Sequence, residues 1–169
     1  MKMKFIIAFF LSAAITFFSC KKDQVSQSVF KVNLTDAPGD WDEVNIDLTG
    51  MEVKFDSDST KWRTLQANAA VYNLLSLQNG IDTLIAQGSF PVNEVVKEIR
   101  LIVGANNTIK VNGQIFPLTI PSGEEAGLKI KVNKKLQATL ETILIDFDAA
   151  LSIKEETDGY KLKPVIKLK

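Results

Sequence analysis

Asp146 and Asp148 stand two apart in a segment where Ile143, Ile145 and Phe147 alternate with more polar positions. On a strand, residues two apart share a face, so this spacing aims both carboxylates the same way. Three more acids, Asp36, Asp40 and Asp42, crowd a turn-like segment near the start of the chain. If the two segments meet at one end of a fold, four or five carboxylates could form an oxygen site for Ca²⁺. The 36–42 spacing is not that of an EF-hand loop, and no glutamate stands at a closing position. A carboxylate pair could also serve glycoside hydrolysis, one group as acid and the other as base or nucleophile. The plainer expectation is that Asp36 makes a local side-chain turn over Ala37-Pro38-Gly39. Asp146 and Asp148 would then pair with Arg100 or Lys129 on the polar faces of their strands. Core and edge positions account for Trp41, Trp62, Tyr72 and Tyr160 more simply than a sugar platform does.

Other reaction chemistries fall away on composition. The 169 residues contain no histidine and one cysteine. Ser-His-Asp, Cys-His and HExxH sites are thereby excluded. So are an intrachain disulfide, a CxxC pair and a thiolate zinc cluster. Twenty basic residues balance twenty acidic ones. That balance gives no basic footprint for nucleic acid. No nucleophile–base pair is visible, so the chain reads as no enzyme. No cofactor is expected, with Ca²⁺ possible at the acidic cluster.

The lone cysteine has a context of its own. Met1 to Lys4 is a short basic start, and residues 5–18 are apolar apart from Ser12 and Thr16. Such a run fits the roughly 7–15 residues of a signal core and falls short of the ~20 of a spanning helix. Ser19-Cys20 at its end looks like a bacterial lipoprotein signal, cut before Cys20 and acylated there. Its phenylalanine-rich ending resembles Bacteroidota-type variants. An ordinary secretory signal or an uncleaved anchor are the alternatives. Residues 1–19 are then the signal peptide, 20–28 a lipidated tether and 29–169 the folded domain. Loss of Lys2 and Lys4 makes the mature chain slightly acidic. The implied location is the cell envelope, as an outer-membrane lipoprotein on the periplasmic face or the cell surface. The implied partners are the membrane, through the lipid, and an envelope protein or a glycan.

The elements that must position the acids are strands. Phe30, Val32 and Leu34 alternate, as do Val44, Ile46 and Leu48, then Met51, Val53 and Phe55. Residues 71–77 form a continuous apolar run, followed by the hairpin-type pair Asn79-Gly80. Further alternation marks 99–103, 108–111, 114–118 and 128–132, with Asn112-Gly113 as a second hairpin turn. Asp158-Gly159 turns the chain into one last strand over 160–168, where Pro164 signals an edge or a bulge. Residues 92–97 read as strand or loop, and 134–142 as a loop running into the strand at Thr142. Many short strands at this spacing predict an all-β fold. A single antiparallel β-sandwich, immunoglobulin-like or transthyretin-like, leads, with a closed barrel second. Lysines 110, 129, 131, 134 and 135, and 161, 163, 167 and 169, lie on polar strand faces. They would block strand addition or touch anionic glycan or lipid head groups.

Several segments taken in order resemble one bacterial family. They are 33–40 (NLTDAPGD), 44–46 (VNI), 72–75 (YNLL), 99–101 (IRL), 121–123 (PSG), 127–129 (GLK), 145–149 (IDFDA) and 160–165 (YKLKPV). The family is the one catalogued as domain of unknown function 4382, and the likeness covers about residues 29–168. It implies a β-rich lipoprotein and no particular activity. Residues 91–97 depart from the family pattern, which more often has a glycine and a tyrosine there.

Overall fold

A computed structural model describes residues 26–121, 127–137 and 139–169. The signal segment, Cys20, most of the expected tether, and Ser122-Gly123 lie outside the described residues. The elements are β1 (Gln27–Asp36), β2 (Glu43–Phe55), β3 (Asp58–Thr64), β4 (Gln66–Ala67) and β5 (Ala70–Asn73). A 3₁₀ turn (Leu74–Leu77) leads to β6 (Thr83–Pro91), β7 (Val95–Val103), β8 (Thr108–Val111) and β9 (Gln114–Thr119). Then come β10 (Leu128–Lys135), β11 (Leu140–Phe147), α1 (Ala149–Ser152), β12 (Ile153–Glu156), β13 (Gly159–Leu162) and β14 (Ile166–Leu168).

Two sheets pack face to face and do not close into a barrel. The smaller runs β14-β11-β1-β6-β4. The larger runs β10-β7-β2-β8-β9-β13-β12, with β3 and β5 also paired to β2. The sandwich agrees with the alternation, but the sheets are mixed rather than wholly antiparallel. β1 runs parallel to β11, and β13 parallel to β9. Alternation has the same period in both kinds of ladder, so a one-sided pattern carries no sign of strand direction.

Inward positions are those the alternation singles out. Phe30, Val32 and Leu34 of β1 are buried, as are Ile99 and Leu101 of β7 and Ile130 of β10. In β2 the buried set changes phase, from Val44, Ile46 and Leu48 to Met51, Val53 and Phe55. Two strands are not needed for this. The β2–β7 register slips between Leu48 and Gly50, and one extra residue there keeps both halves facing the core.

Two local expectations are corrected, and a third element is unforeseen. The run 71–77 is not one strand. The Asn73 side chain accepts the Leu75 N–H at 3.2 Å, and the Ser76 hydroxyl donates to the Asn73 carbonyl at 2.6 Å. These bonds wind a 3₁₀ turn that buries Leu74 and Leu77, three apart. Residues 160–168 are not one strand either. β13 belongs to the larger sheet and β14 to the smaller, and the chain crosses between them at Pro164, a residue that cannot donate to a ladder. The third is α1, a single helical turn after Phe147 that alternation does not foreshadow. Asn112 and Gly113 behave as expected. Their φ angles of 50° and 78° make the left-handed pair that a tight hairpin between β8 and β9 requires.

Candidate functional site

Parallel pairing brings the C-terminal ends of β1 and β11 together. Thr35 lies opposite Asp146, and Asp36 opposite Phe147. Asp36, Asp146 and Asp148 therefore meet at one pole of the sandwich, where they are 2%, 1% and 7% exposed. The first expectation, that the two acidic segments come together, agrees with this geometry for these three.

Each carboxylate has a separate task. Asp36 Oδ1 accepts the Ala149 N–H at 2.9 Å, and its Oδ2 accepts the Gln78 side-chain amide at 3.3 Å. Among the described residues the Asp36 side chain bonds to these groups and not to the amides of 37–39. The bond to Ala149 reaches across the sequence because β11 is the spatial neighbour of β1. Asp148 caps α1: its Oδ1 accepts the Leu151 N–H at 3.0 Å, and its carbonyl accepts the Ser152 hydroxyl at 2.5 Å. Ser152 then fastens the sheet crossing. Its carbonyl accepts the Lys163 N–H at 2.7 Å, and its hydroxyl accepts the Val165 N–H at 2.8 Å.

Asp146 is balanced by charge rather than by aligned hydrogen bonds. Lys167 and Lys169 of the C-terminal segment each place Nζ 3.3 Å from its Oδ2. Neither Asp146 oxygen receives a well-aligned hydrogen bond among the described residues. The expected partners are thus corrected. Arg100 pairs with Glu52, and Lys129 lies opposite Arg100 in the β10–β7 register. Both belong to the larger sheet, whereas Asp146 neighbours β14 in the smaller one. Alternation gave Lys167 and Lys169 a common face, but only the sheet order puts that face beside Asp146.

Asp40 and Asp42 do not join the cluster. Both are exposed in the loop after β1. Asp42 Oδ2 instead accepts the Gly113 N–H at 2.8 Å, tying that loop to the β8–β9 hairpin. Among the described residues no group of three or more acidic, cysteine or histidine side chains is arranged to hold a metal ion. Lys167 and Lys169 already stand where a cation beside Asp146 would bind. All three carboxyl residues are nearly closed to solvent.

Burial pushes the Asp36 carboxyl above its ordinary 3.8. The Ala149 N–H and Gln78 pull it down, and the charges of Asp146 and Asp148 push it further up. A carboxyl raised in the folded state favours folding most when protonated, and that contribution is lost as pH rises through the folded pKa. Asp36→Asn keeps the oxygen that Ala149 bonds, and Gln78 can flip its amide to suit. The variant is expected to melt higher than the parent at pH 7. That advantage should shrink as the pH falls toward 3.8. Thermal melts across this range check it, and a pH-independent difference would refute the assignment.

No protein of curated function matches this chain, and no solved structure matches it. One family model does, over residues 27–164, under the description domain of unknown function (DUF4382).

Proposed function

Because the chain belongs to the DUF4382 family across most of its length, we propose that it is a lipid-anchored, non-catalytic binding or assembly module of the bacterial cell envelope. The observation that carries the non-catalytic part is the use of its buried acids. Asp36 staples β1 to α1, Asp148 caps α1, and Asp146 pairs with two lysines. None is left as a free base or nucleophile in a cleft. The sequence supports the anchor. A basic start and an apolar run of signal length end at Ser19-Cys20, and β1 begins at Gln27, so only a short tether separates lipid from domain. Acylation of both the sulfur and the new amine supplies the two or more chains that stable attachment needs. Among the described residues no helix is long and apolar enough to cross a membrane.

Cys20→Ala is expected to abolish labelling by radioactive palmitate and to move the protein from the membrane to the soluble fraction. Retained labelling would overturn the anchor. Proteolytic shaving of intact cells then assigns the domain to the cell surface or the periplasmic side of the outer membrane.

A further inference from the structure

The outward face of the larger sheet is unlike the carboxylate pole. Across β3, β2, β7 and β10, Trp62 lies opposite Lys54, Lys54 opposite Glu98, and Glu98 opposite Lys131. The next row runs Thr64, Glu52, Arg100, Lys129. Lys54 Nζ and Arg100 Cζ sit 4.6 and 4.5 Å from the centre of the half-buried Trp62 ring. Both cations are also held by acids, Lys54 by Glu98 at 3.0 Å and Arg100 by Glu52. Trp62 is thereby held beside two cations that are themselves held by acids.

Lys129 and Lys131 differ from these two. Both are exposed and make no ion pair among the described residues. Beside Lys131 lies a groove of about 340 Å³, bordered also by Lys54, Ser59, Lys97, Glu98 and Asn133. Asn133 has φ 52° at the irregularity between Lys131 and Lys134, where β10 bends. The flank therefore combines surplus positive charge, hydroxyl and amide groups, and an immobilised aromatic ring. Lys61 and Lys134, by contrast, are each paired with an acid, as is Lys97 at the border of the groove.

We propose that this flank binds an acidic polysaccharide, with its carboxylates against Lys129 and Lys131 and a sugar ring over Trp62. The inference rests on the binding-module reading above and names its ligand class. The charged groups supply attraction, and the immobilised indole supplies an apolar surface at little ordering cost.

The test uses the full-length lipoprotein in neutral detergent, with polygalacturonate as probe and dextran as uncharged control. In affinity electrophoresis the protein is retarded by polygalacturonate and not by dextran. Lys129→Ala/Lys131→Ala weakens the retardation about tenfold, a loss of ~1.4 kcal/mol, whereas Lys31→Ala on the other sheet does not. Trp41 and Trp62 are the two tryptophans of the chain, so Trp41→Phe leaves Trp62 as the sole indole. Its emission then shifts on adding polygalacturonate. Unchanged emission, undiminished retardation of the double variant, or equal retardation by dextran overturns the proposal. So does binding to phosphatidylglycerol vesicles without binding to polygalacturonate. Palmitate labelling is independent of all these results, so a protein that fails them yet stays labelled loses this ligand and keeps its anchor.

Discussion

Lys167→Ala and Lys169→Ala made together are expected to lower folding stability by about 3 kcal/mol, and Asp146→Asn added to that background to recover most of the loss. Asp146 is 1% exposed and its oxygens have no aligned donor, so its charge is balanced mainly by the two ammonium groups at 3.3 Å. Removing one side of a buried pair typically costs ~3–5 kcal/mol, because the remaining charge stays buried and uncompensated. The low end applies here, since the lysine side chains are 57% and 48% exposed and share screening with water. Either lysine alone should matter by less than about 1 kcal/mol, because the other remains. Urea denaturation of the singles, the double and the triple variant decides the matter. If the triple variant is as weak as the double, the charge of Asp146 is not what the lysines answer.

Phe147→Ala is expected to cost about 3–5 kcal/mol, the usual range for emptying a buried aromatic site. Phe147 is 1% exposed and sits between Asp146 and Asp148 in sequence. Its backbone pairs with Asp36 on one side and Ile166 on the other. One side chain thus seats the strand end that fixes all three carboxylates. Phe147→Leu refills much of the cavity and should cost markedly less. Hydrogen exchange adds a local readout. The Ala149 and Leu151 amides, bonded to Asp36 and Asp148, should lose protection in Phe147→Ala and keep it in Phe147→Leu. Equal protection in both variants would show that Phe147 acts on the core alone. A loss of this size is a large share of the ~5–15 kcal/mol that holds a typical domain together.

What could be read before any coordinates follows from physical range. Phe30, Val32 and Leu34, or Ile99 and Leu101, announce their strands because side-chain alternation is a property of neighbours in sequence. Asn112-Gly113 announces its turn for the same reason. The phase change within β2 is visible too, as a switch from even to odd apolar positions after Leu48, but the slip that explains it is a matter of pairing with β7. The carboxylate pole was half legible. Asp36, Asp146 and Asp148 could be named, but their partners could not, because those depend on which strands lie side by side. Nothing near Asp146 in sequence points to Lys167 and Lys169. The contact exists because the chain changes sheets at Pro164 and returns beside β11. Gln78 and the Ala149 N–H were missed outright, since one sits on a loop over β1 and the other opens a four-residue helix. A core or edge position accounts for Trp62 in the sequence, and only the sheet order brings Lys54 and Arg100 against its ring.

The placement of β1 has a mechanical consequence. On the proposed anchoring at Cys20, a tug between membrane and domain would enter the described fold at the start of β1, Gln27. β1 is an inner strand, laddered lengthwise to β11 on one side and β6 on the other. Hydrogen bonds loaded along the strand share the force and must slide together, whereas bonds loaded at a hairpin end open one at a time. A domain anchored in that way would be held through an inner strand, and the pull would travel roughly 30 Å, ten residues at ~3.3 Å each, to end at the Asp36 staple.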